Sequence, residues 1–147
     1  MAEGTLVNEL FSSVLIDDGE KFTDLLIESK LNITASLWLY SEENETWRLV
    51  IGMPKVKEKG PSQAYTKLQS ILKKFYNQHP AFGTETGTTH NPFRPRIYLP
   101  DISVMDSEDP FLKTLRKKLS PDIHDAQLHN LRLGDYYVEN AIIYWLK

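Results

Sequence analysis

Four histidines, His79, His90, His124 and His129, are the side chains of this chain best suited to bind a metal or carry a proton near neutral pH. Their spacing does not assemble a site. His124 and His129 are five apart, which matches neither one face of a helix (three or four) nor one face of a strand (two or four). No H-E-x-x-H pair occurs. The chain has no cysteine, which excludes a thiol nucleophile, a thiolate zinc centre and a disulfide framework together. No metal and no cofactor is expected.

Other chemical patterns are as thin. "GTETGTTH" has the glycines of a phosphate cradle but lacks the G-K-[ST] ending, a leading strand and a following helix. There is no G-x-S-x-G elbow. Asp101, Asp106, Glu108 and Asp109 lie close together, as nuclease carboxylates do, but the last three fall where a helix begins and carboxylates favour that end of the dipole. The residues with a local case for ligand binding are His90, Arg94 and Arg96. Two arginines two apart on an extended segment project to one side, where they can grip a carboxylate or phosphate.

Those three residues belong to the stretch Asn77 to Arg96, which has no period and is rich in Gly, Pro and Thr. Loops of this length in a small domain commonly carry function. Around it the chain reads as alternating elements. Thr5 to Lys30 is helical in pattern, interrupted at Asp17-Asp18-Gly19, so that one broken helix or two short ones fit. Ala35, Leu37 and Leu39 alternate with Ser36, Trp38 and Tyr40, and Trp47, Leu49, Ile51 and Met53 alternate again after a polar turn. This is the period of a β-hairpin.

Gly60-Pro61 opens a helix whose Ala64, Tyr65, Leu68, Ile71, Leu72 and Phe75 follow the i, i+3, i+4, i+7 pattern of one side. Arg96 to Met105 reads as a strand whose Pro100 implies an edge position or a bulge. Ser107 to Pro121 is a helix capped by Ser107 or Asp109, and the C-terminal stretch forms two strands around Gly134-Asp135. The order is α-ββ-α-β-α-ββ. It predicts a single α+β domain over residues 1–147, with an antiparallel or mixed sheet of about five strands and helices covering one face.

Trp38, Tyr40 and Trp47 fall within one short span. As a stacking platform for nucleic acid they would need basic neighbours, yet Glu42, Glu43 and Glu45 surround them and Arg48 is the nearby cation. Their alternation places Trp47 on a core face and makes the first strand apolar on both sides, as in a central or covered strand. Lys73-Lys74 and Arg116-Lys117-Lys118 are the basic groups, and both are read as helix C-terminal charges that offset the dipole.

The formal net charge of −3 opposes a general attraction to nucleic acid or anionic membrane. No apolar run approaches the ~20 residues that span a bilayer, and no signal peptide is visible, so the expected location is cytoplasmic. Together these features favour a non-enzymatic protein-binding or assembly module whose partner is a protein, including a second copy of the chain. Trp38, Tyr144 and Trp145 are the interface candidates, the last two because a terminal strand often lies near a sheet edge. The alternatives are a small enzyme or nucleotide-binding domain using the 77–96 loop, and an accessory protein that binds nucleic acid.

Overall fold

In the computed structural model, which describes residues 13–79, 97–119 and 126–147, the sheet is organised around its first strand. The elements are α1 (Ser13–Glu28), β1 (Ala35–Ser41), β2 (Thr46–Met53), the one-turn α2 (Val56–Lys59), α3 (Pro61–Gln78), a 3-10 turn (Leu99–Asp101), β3 (Ile102–Asp106), α4 (Pro110–Lys118), β4 (Ala126–Leu133) and β5 (Tyr136–Leu146). The strand order is β3-β2-β1-β5-β4. Only β2 and β3 run parallel; the other pairs are antiparallel, so the sheet is mixed and the class is α+β.

The reason β1 is central is visible in its side chains. Leu37 and Trp38 are adjacent, point to opposite faces and are both buried. Trp38 lies in register with Leu49 of β2 and Ile142 of β5, and Leu37 with Val50 and Ile143. The first row faces Phe22 and Leu26 of α1 and Leu68, Leu72 and Phe75 of α3. The second faces Phe111, Leu112 and Leu115 of α4.

Helices therefore cover both faces, which corrects the expectation of one covered face. A sheet with apolar rows on both sides must be covered on both. The physical cue was present in the doubly apolar β1 and in Leu112 and Leu115, which had no face left to pack on once α1 and α3 had occupied the first.

Local chemistry accounts for most element ends. Asp109 caps α4 by accepting from Phe111 N at 2.9 Å, with Pro110 in the first turn. Pro61 opens α3 in the same way. Gly134, with φ 60, takes the first position of the two-residue β4–β5 turn, the conformation a primed hairpin turn demands.

Three details depart from the sequence reading. Among the described residues α1 runs unbroken through Asp17-Asp18-Gly19. Pro100 sits in the 3-10 turn, not in β3, although β3 is an edge strand. Helix α3 continues to Gln78, so Lys73 and Lys74 are exposed before its last turn and do not offset its dipole.

Helix α1 lies very close to the sheet. Tyr144 Oη donates to Ile16 O at 2.6 Å, Thr23 Oγ1 donates to Gly19 O at 2.7 Å, and the hydroxyls of Thr23 and Ser36 are 2.7 Å apart. These bonds join buried polar groups, which would cost stability if left unpaired. Gly19 makes the approach sterically feasible.

Candidate functional site

The ligand candidates His90, Arg94 and Arg96 lie outside the described residues, as do His124 and the 77–96 loop beyond His79. Asp101 and Asp106 are spent on local structure. Asp101 Oδ2 accepts from Tyr98 N at 2.9 Å and closes the 3-10 turn. Asp106 accepts from Lys57 N at 2.7 Å and Glu108 N at 2.8 Å, and these backbone N–H bonds hold its carboxyl below the ordinary range. It thereby pins the short α2 to the end of β3. Among the described residues no three His, Asp or Glu side chains converge as metal ligands.

The three aromatic interface candidates share one face. Trp38 and Tyr144 are buried beneath α1. Trp145 is half-buried on that same face, with Nε1 donating to Ile33 O at 3.3 Å. Adjacent strand residues normally oppose one another. Here the register with β1 shifts between Ser36 and Leu37, so that Ser36 pairs with Trp145 and Leu37 with Ile143, leaving Tyr144 as the extra residue of a bulge. The terminal strand is also not at the edge: β5 is held between β1 and β4.

The edges of the sheet are β3 and β4, and they differ chemically. At β3, Tyr65 of α3 sets its hydroxyl against the strand: Oη accepts from Val104 N at 3.1 Å and donates to Ile102 O at 3.3 Å. Arg48 adds a bond to Ile102 O at 3.2 Å and a short bond from Nε to Ser103 Oγ. A side chain thus occupies backbone groups that a further strand would use. This is a protected edge.

At β4 nothing equivalent is present among the described residues. Seven of its eight residues, all but Asn130, pair with β5, and among the described residues the strand's other edge is hydrogen-bonded by nothing. Its burial alternates, with Ala126, Leu128 and Leu131 half-buried and Gln127, His129 and Arg132 exposed. Beside it on the α1 face is a cleft of about 200 Å³ lined by Gln127 and His129 of β4, Asn140 and Ile142 of β5, Trp47 of β2 and Ile16 of α1. Its lining combines apolar side chains with amide and imidazole groups, which suits a side chain of a chain lying along β4. Glu139 lies on β5 nearby, and burial together with the neighbouring Glu42 carboxyl raises its pKa above the ordinary range.

A second depression, of about 240 Å³, opens where β2 meets α2 and α3. Lys55, Lys59 and Lys67 line it with Asn32 and Gln63. Among the described residues ion pairs join Lys21 to Asp17 at 2.8 Å and Lys113 to Glu108 at 3.3 Å, and none involves these three lysines. The clustering comes from the backbone turn at Lys55, whose φ of 63 is left-handed. In sequence Lys55 and Lys59 are four apart within "PKVKEKG", while Lys67 joins them only through the packing of α2 against α3.

Sequence reasoning also missed the open edge, because edge status depends on strand order. The one available signal was the alternating "AQLHNLRL" with two adjacent polar residues at its middle. No protein-family model, curated protein or solved structure matches this chain.

Proposed function

We propose that this protein is a binding module that takes up an extended segment of a protein partner as a further strand along β4. The observation that carries this reading is the contrast between the two edges: Tyr65 closes β3, while β4 offers eight residues with one edge unpaired among the described residues. Strand addition draws its affinity from main-chain hydrogen bonds and its specificity from pockets for alternate side chains. The cleft lined by Gln127, His129 and Trp47 supplies such a pocket. No helix among the described residues is long and apolar enough to cross a membrane.

The test is a photoreactive phenylalanine analogue placed at Gln127, with the same analogue at exposed Gln69 on α3 as control. Irradiation in cells, followed by mass spectrometry, should give a protein adduct at position 127 and none above background at position 69. Equal labelling at the two positions, or none at 127, defeats the reading.

The lysine-lined depression supports a second reading, as an anion-binding domain. Lys55, Lys59 and Lys67 present three cations that no carboxylate neutralises among the described residues. A thermal-shift series with inorganic phosphate and pyrophosphate tests it. Stabilisation that disappears when the three lysines become glutamine supports the site, and stabilisation that survives removes it.

A further inference from the structure

We infer that the strand added to β4 is the β4 of a second copy, antiparallel and in one register, related by a two-fold axis between His129 and Asn130. This rests on the strand-addition reading above and names its partner.

The order of side chains in β4 is symmetric about its midpoint. From Ala126 to Leu133 the strand reads apolar, polar, apolar, polar, polar, apolar, polar, apolar. In a regular strand Leu128 and Leu131, three apart, would face opposite sides. Here Asn130 has φ 47, and the register passes from His129↔Asn140 to Leu131↔Val138. Tyr137 Oη supports the turn of the backbone by donating to Asn130 Oδ1 at 2.9 Å. As a result Ala126, Leu128, Leu131 and Leu133 all pack in the cluster beneath α4.

Two such strands meet an isologous interface in a self-complementary way, residue i on j and j on i. With the axis between His129 and Asn130, Ala126 stands opposite Leu133, Gln127 opposite Arg132, Leu128 opposite Leu131, and His129 opposite Asn130. Every apolar side chain meets an apolar one on the α4 face, and every polar one meets a polar one on the other. Sliding one strand by a single residue sets leucines against Arg132, Gln127 or Asn130. The register also keeps the charges apart: Arg132 is the one Lys, Arg, Asp or Glu residue of β4, and it faces Gln127 rather than its own copy. Like charges directly opposite one another are destabilising in a sheet. Leu128 and Leu131, half-buried in one copy, would each be covered by the other.

The closed edge completes the inference. Pairing through β4 uses the open edge of both copies and leaves a ten-stranded sheet ended on each side by a β3 that Tyr65 protects. The assembly stops at two and does not extend into a filament.

The absence of cysteine makes the register directly measurable. Gln127→Cys and Arg132→Cys are prepared separately, each checked for an unchanged melting temperature, then mixed and oxidised. Opposed residues of antiparallel strands have Cα atoms about 4.5–5.5 Å apart, within the range a disulfide spans. Two copies of the same variant place their cysteines roughly 17 Å apart along the strands, beyond reach. The expected result is a covalent dimer from the mixture, at twice 17.0 kDa, and none from either variant alone. No dimer in any sample, or equal dimer from single variants, overturns the inference. The photoreactive analogue at Gln127 separates the two failures. An adduct with a different protein overturns self-pairing and leaves strand addition standing, whereas no adduct removes both.

Discussion

Gly19 of α1 rests directly on the indole of Trp38: a Cβ at that position would stand 2.6 Å from Trp38 Nε1 and 2.5 Å from Tyr144 Oη. Both neighbours are buried and held, so neither can give way cheaply. The glycine therefore sets how close α1 comes to the sheet.

Gly19→Ala should destabilise the protein despite improving helix propensity. Overpacking costs about 1–3 kcal/mol, against about 1 kcal/mol gained in the helix. The net change should lower the melting temperature by up to several degrees, since about 1 kcal/mol corresponds to ~2–4 °C at this chain length. A raised melting temperature would mean that α1 sits farther from Trp38 than described.

The two strand tryptophans should separate in a truncation series. Trp38 is 1% exposed and packs between α1 and α3. Trp38→Ala should cost about 3–5 kcal/mol in urea unfolding. Trp47 is half-buried beside Tyr40, with ring centroids 5.3 Å apart. Its truncation should cost distinctly less, and equal losses would show the two to be equivalently buried.

Tyr65→Phe removes only the hydroxyl that covers β3. It should cost about 1 kcal/mol for each of the two hydrogen bonds lost, and leave Val104 N facing water while Arg48 still donates to Ile102 O. A second strand edge then becomes available. Light scattering should report concentration-dependent growth beyond a dimer; a variant with the wild-type association profile would show that the hydroxyl does not guard the edge.

The two shifted carboxyls predict opposite pH behaviour. Glu139 holds its proton to higher pH than its ordinary 4.5, so the folded state is favoured at low pH and loses that advantage as pH rises through the raised value. Glu139→Gln should therefore raise the melting temperature at pH 7, and the gain should vanish in acid below about 4.5. Asp106 is lowered from 3.8, and its contribution is present above that value and lost as pH falls through the lower one. Asp106→Ala should destabilise at pH 7 and approach the wild type in strong acid. Parallel pH profiles for the two variants would contradict this.

Much of the architecture was legible from local chemistry. The hairpin β1–β2, helix α3 with its Pro61 start, the Asp109 cap of α4 and the Gly134 turn each depend on a few adjacent residues. Alternation alone marked β1 as a covered strand, because Leu37 and Trp38 cannot both be apolar on a strand with a wet face. The interaction surface was less legible. Trp38, Tyr144 and Trp145 were candidates on composition, but a bulge at Tyr144 turned the last two onto one face, and bulges depend on pairing across strands.

By itself, then, the order of residues determined which segments become helix or strand and which side chains seek burial, since period and capping are properties of neighbours. Only the tertiary structure decided which strand lies at an edge, because pairing joins β1 to both β2 and the distant β5 and pushes β4 outward. It likewise decided that Tyr65, thirty-nine residues before Val104, would close one edge while Asn130 aligned the apolar residues of the other. Those outcomes depend on contacts between segments far apart in the chain, and no local pattern contains them.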